Sequence, residues 1–131
     1  MVRLSTWFVL AFAGLAVPVH AHDWRALPPL PVQVRGAYMG VSGGALLVAG
    51  GTEAESDRVW AIETPEGTWR EAGRLPVAMG RGASVTTDEG LLCLGGADAS
   101  GPRADVLLLT WDGAKLTTVA LPPLPHSCVG A

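Results

Sequence analysis

Beyond residue 22, apolar positions come in short runs separated by Gly, Pro, Asp and Ser, and no stretch shows a capped 3.6-residue period. The runs at 45–49 ("ALLVA") and 91–94 ("LLCL") are apolar at consecutive positions, as in strands covered on both faces. The pattern predicts one set of strands at 37–41, 45–49, 59–62 and 69–72. A second set is predicted at 83–86, 91–94, 106–110 and 116–120. "SGG" at 42–44 and "DEG" at 88–90 read as hairpin turns. The expectation is an all-β chain.

The two sets are copies of one unit. Trp24-Arg25 recurs as Trp69-Arg70, and Leu30-Pro31 as Leu75-Pro76 and again as Leu124-Pro125. Gly36-Ala37 matches Gly82-Ala83 and Gly130-Ala131, while Gly50-Gly51 matches Gly95-Gly96. Asp57 ahead of "RVWAI" matches Asp105 ahead of "VLLLT". Landmarks that keep their order at a spacing of about 45 residues mark a repeat architecture, and four short strands per unit mark a propeller blade. The double glycines end the second strand of each unit, where a residue without Cβ lets the chain turn against crowded neighbours.

An apolar strand, Gly-Gly, an Asp ahead of an aliphatic strand, a Trp and Leu-Pro together resemble the kelch repeat. Trp-Asp occurs only at Trp111-Asp112, which argues against the WD-type blade. "GVSGGALLVAGG", "LPVAMGRGASVTTDEGLLCLGGADA" and "ADVLLLTWDGAKLTTVALPPLP" resemble the cyclically permuted mutarotase branch of kelch proteins, which includes the exported N-acetylneuraminate epimerases. The resemblance implies a sugar-binding isomerase that interconverts sialic acid anomers without a cofactor. The alternative is a non-catalytic kelch module that binds protein or glycan. Relative to that family, the insert after Gly50-Gly51 is short, and about six blades are expected where this sequence carries two. The family's general-base glutamate matches no position here, so no catalytic residue is assigned.

The expected organisation is a signal peptide over 1–21, then a partial kelch propeller over 22–131. Blade one covers about 36–76, blade two about 82–125, and 126–131 begin a third. Trp24–Ala26 lines up with fourth strands and is expected to act as an N-terminal closing strand. Arg3, an uncharged apolar run over 4–17 and Val19-His20-Ala21 make the leader pattern. The run is short for a membrane anchor, the alternative reading. Export to the periplasm or medium follows from the leader. Two blades leave two apolar faces open, because ring closure needs about four to eight. The expected partners are therefore further propeller blades or other copies of the chain, and otherwise a small sugar.

Charge narrows the partners further. The net charge is −3, and removing Arg3 with the leader makes it −4, with no basic stripe. Neither nucleic acid nor, after removal of the leader, anionic membrane is an expected partner on that ground. Cys93 and Cys128 sit in or beside apolar runs and read as buried free thiols, a disulfide being the alternative. No residues have metal-ligand spacing, so no metal is expected, and His22 and His126 are isolated. Arg81 in "MGRGAS" and Arg35 at nearly the same place in blade one are the candidates for contact with a substrate carboxylate. Glu53 and Asp98 follow the double glycines and read as solvated linker acids. Structural roles go to Gly50, Gly51, Gly95 and Gly96 at the turns, to Asp57 and Asp105 as side-chain holders of blade turns, and to Trp24 and Trp69 as packing residues. "GVSGG" at 40–44 lacks the order of a nucleophile elbow and is set aside.

Overall fold

A computed structural model describes residues 24–52 and 57–130. The leader, His22 and Glu53 lie outside the described residues. Within them the chain has no helix. It forms β1 (Tyr38–Ser42), β2 (Ala45–Ala49), β3 (Arg58–Ile62) and β4 (Arg70–Arg74), then β5 (Ala83–Thr86) and β6 (Leu91–Leu94). A small hairpin, β7 (Ala97–Asp98) and β8 (Gly101–Pro102), precedes β9 (Val106–Trp111) and β10 (Leu116–Leu121).

Two antiparallel meanders result, β1-β2-β3-β4 and β5-β6-β9-β10. They are the two expected four-stranded blades of an all-β, kelch-type propeller fold. Ser42 pairs with Ala45 across Gly43 and Gly44, whose φ values of 57° and 77° fit the two-residue turn that right-twisted strands require. Strand β3 bulges between Val59 and Trp60.

The core lies between the blades. From blade one, Tyr38, Leu47, Ala49, Val59 and Ala61 are fully buried against Leu91, Cys93, Leu107, Leu109 and Trp111 of blade two. Alternation sends β1 residues Tyr38, Gly40 and Ser42 to this side, and on β5 it sends Ser84 and Thr86. Polar bonds cross the same seam. Tyr38 Oη donates to the Gly95 carbonyl (2.6 Å), and the Trp111 N–H donates to Ser42 Oγ (3.0 Å). Burial pushes the Tyr38 hydroxyl up to about 12, with Cys93 and Asp105 adding to the rise, and burial pushes the Cys93 thiol up to about 12. Arg70 stacks 4.9 Å over the Trp111 ring.

Blade one's other face carries Val48, Trp60, Ile62 and Trp69, covered by Leu30, Val32 and Val34 of the N-terminal segment. Trp69 Nε1 donates to the Pro28 carbonyl (2.7 Å), so Trp69 packs as expected. Trp24 does not. Residues 24–26 form no strand and Trp24 is fully exposed, because no described sheet edge lies beside it to take its backbone groups. Cys93 is a buried free thiol, whereas Cys128 is exposed, lying on the connection after β10 and not in a strand.

Tyr38→Phe leaves the buried Gly95 carbonyl without its donor and should cost about 1–3 kcal/mol. Leu109→Ala, which opens a cavity at the seam, should cost about 2–5 kcal/mol. Urea unfolding followed by tryptophan fluorescence measures both.

Candidate functional site

The double glycines bring each blade's second strand to a junction with the segment that enters the next blade. Gly50 N–H donates to the Arg58 carbonyl (2.9 Å) as Gly95 N–H does to that of Asp105 (2.8 Å). Gly51 N–H donates to the Met79 carbonyl (2.9 Å), and Gly96 N–H to that of Cys128 (2.6 Å). All four glycines have positive φ, between 64° and 133°. At Gly51 an added Cβ would meet the Arg35 carbonyl at 2.9 Å, so the close approach of backbones requires glycine there.

Asp57 and Asp105 hold this junction differently from the sequence expectation. Their backbone carbonyls take the N–H groups, from Leu75 (2.6 Å) and Gly95, while their carboxylates pair with arginines. Asp57 receives Arg74 at 3.0 and 3.2 Å. Asp105 receives Arg103 at 2.8 and 3.0 Å through both oxygens. The fork of a guanidinium matches a carboxylate better than a lone backbone N–H does.

Arg81 stands out by its backbone. Its φ is 62°, and it is the one non-glycine residue with positive φ among those described. Its N–H donates to the Gly36 carbonyl (2.7 Å), and its own carbonyl accepts from Gly130 N–H (2.7 Å). Gly36 and Gly130 have φ of 63° and 72°. Gly36, Arg81 and Gly130 therefore occupy one position in successive units, and arginine stands where glycine is the unstrained choice. The match of Gly36 to Gly82 is thus displaced by one residue. Arg35 is not the counterpart of Arg81. It is exposed, precedes that position, and gives its carbonyl to Thr52 N–H (2.9 Å).

Arg81 borders a groove of about 360 Å³ lined by Gly51, Thr52, Ala78, Ala97, Asp98 and Ala99. Its guanidinium makes no ion pair with a described residue. Asp98, across the groove, is not a loosely solvated acid. Its Oδ1 accepts from Ser100 N–H (2.7 Å) and Gly101 N–H (3.1 Å), which builds the β7–β8 turn, and its Oδ2 receives Arg103. Those hydrogen bonds, that of Arg103 foremost, hold the Asp98 carboxyl below the usual carboxylate range, and Arg103 does the same for Asp105. Among the described residues, the groove so combines a cation that has no ion-pair partner with a carboxylate whose charge is already matched. His126 is exposed, and no cluster of metal-ligating side chains occurs among the described residues.

No protein-family model matches the chain. Several curated proteins do. An N-acetylneuraminate epimerase of Brucella suis is 34% identical, over 70% of this chain and 30% of its own length. That of Vibrio cholerae is 30% identical, over 73% of this chain and 32% of its own length. The chain is a homologue of N-acetylneuraminate epimerases. It spans about 30% of the length of these relatives. Among solved structures, that of YjhT superposes with a TM-score of 0.64 over 74% of this chain and 34% of that one, at 24% identity, which speaks to the fold.

Two outcomes test the local geometry. Arg81→Gly should raise the unfolding free energy by about 1 kcal/mol by removing left-handed strain, whereas Arg81→Ala should not. The lowered Asp98 and Asp105 carboxyls stabilise the fold above their unfolded value of about 4, and that stability is lost as pH falls through their lower folded values. Urea midpoints should therefore drop on acidification below about pH 4. Arg103→Met should flatten that acid limb.

Proposed function

We propose that this chain forms part of an exported N-acetylneuraminate mutarotase or epimerase, and that Arg81 anchors the carboxylate of the sugar acid. The single observation that carries the reading is an arginine held in a glycine's backbone conformation at the rim of a groove, in a homologue of enzymes named for an acidic sugar. A strained residue beside a cleft points to function, because its side chain must return what its backbone costs. A guanidinium can meet a carboxylate through two parallel hydrogen bonds.

Anomer exchange needs a base to take the proton from the anomeric hydroxyl and an acid to protonate the ring oxygen. Asp98 and Asp105 are weak bases, since Arg103 stabilises their charged form. The two blades accordingly supply the anchor, and the proton-transfer groups come from other blades. The leader pattern supports export.

NMR titration with N-acetylneuraminate tests this directly. Resonances of Gly51, Thr52, Arg81 and Ala97 should shift. Arg81→Gly should abolish the shifts while keeping the fold, and Arg81→Lys should weaken them. The 131-residue chain alone should leave anomer exchange at its spontaneous rate. Shifts that survive Arg81→Gly, or no shifts at all, would remove the anchor, and acceleration by the chain alone would move the chemistry into these blades.

A further inference from the structure

Arg81 shares its groove with a carboxylate, and that carboxylate is held by another arginine. Among the described residues that line the groove, Arg81 is the only cation and Asp98 the only acid; Gly51, Thr52 and three alanines make up the rest. A guanidinium and a carboxylate left facing each other across such a groove pair with one another. Asp98 is not left in that state. Its Oδ2 takes Arg103 Nη1, while its Oδ1 closes the β7–β8 turn on the N–H groups of Ser100 and Gly101.

Arg103 is fixed for this task by backbone and side chain alike. Its N–H donates to the Gly96 carbonyl (2.8 Å) and its carbonyl accepts from Cys128 N–H (3.2 Å), which sets it at the double-glycine junction. Its Nε and Nη2 lie on the two oxygens of Asp105 at 2.8 and 3.0 Å, and Nη1 goes to Asp98. One cation thus serves two partly buried carboxylates. The hydrogen bond to Asp105 first, and then that to Asp98, holds Arg103 above the ordinary arginine value. Removing its charge leaves two acids without their guanidinium, beside a groove whose described lining has one cation. The hairpin keeps a second anchorage. Ala97 N–H donates to the Gly80 carbonyl (2.8 Å) and Gly80 N–H to that of Ala97 (3.0 Å), so the charge of Arg103 is separable from the seat of the hairpin.

We propose that Arg103 is a positioning residue of this groove: it takes up the Asp98 carboxylate, keeps it from pairing with Arg81, and so leaves Arg81 open to an anionic ligand. The inference deepens the anchoring role proposed for Arg81 and rests on it. Arg103 touches no ligand in this account. It acts through Asp98, by deciding which of two arginines that carboxylate meets.

NMR on the full chain tests this with a readout that needs no ligand. In Arg103→Met the Arg81 Nε–H resonance should move, because Asp98 has turned to it. The same shifts on titration should then need at least about tenfold more N-acetylneuraminate. Adding Asp98→Asn to Arg103→Met should return the Arg81 resonance and bring the affinity back to within about threefold. An amide oxygen there still accepts the N–H groups of the turn but carries no charge. The Gly80 and Ala97 amides should stay protected from exchange in both variants. An Arg81 resonance that stays in place in Arg103→Met overturns the proposal. So does a loss that Asp98→Asn leaves unrescued, or Gly80 and Ala97 amides that open in both variants, since either makes Arg103 a structural clamp only. An Arg81 resonance that moves and is rescued, with no response to N-acetylneuraminate in any chain, upholds the role of Arg103 and removes the sugar-acid reading alone.

Discussion

A sheet with two apolar faces must be covered twice, and this one constraint organises the chain. Blade one meets it from both sides, with blade two on one face and the 30–34 segment on the other. The cover determines which residues tolerate no side chain. Gly40 lies flat under Leu91 and Thr86, and Gly51 and Gly96 sit where backbones from adjacent units nearly touch. It also determines where polar groups go. The hydroxyls of Tyr38, Ser42, Ser84 and Thr86 all spend their hydrogen bonds across the seam, the first two on buried backbone groups and the last two on backbone N–H groups at its exposed edge.

The groove inherits its shape from that seam. It opens where the turn after β2, the segment before β5 and the β7–β8 hairpin converge, and each is pinned by backbone bonds at the double glycines. Rigid support of this kind lets a loop side chain be held in one place. Two described acids nearby are held in the scaffold, Asp98 in its turn and Asp105 on Arg103.

Most of the strand pattern was legible because packing on both faces writes continuous apolar runs. Strands β2, β5 and β6 fall at the expected residues, and the others shift by one or two. What the sequence concealed has physical reasons. The β7–β8 hairpin is too short for periodicity, and its signal was an Asx turn, Asp98 to Ser100 and Gly101, in a stretch resembling a linker. The position of Arg81 was read one residue off because Gly-Ala pairs were aligned by identity, whereas the shared feature is a positive φ that arginine rarely adopts. Trp24 misled because aromatic content implies burial only when a neighbouring surface exists.

The blades share a backbone plan and differ where they meet their neighbours. Blade one offers Met39 and Val41 on the face where blade two offers Ser84 and Thr86, and Gly40 stands where blade two has Val85. If only apolar burial mattered, the units could be exchanged and the order of blades would be degenerate. The glycine contact works against that degeneracy, since a side chain at Gly40 would collide with Leu91. In a repeat protein whose units bury similar amounts of apolar surface, such small polar and steric differences are what specify sequence order around the fold.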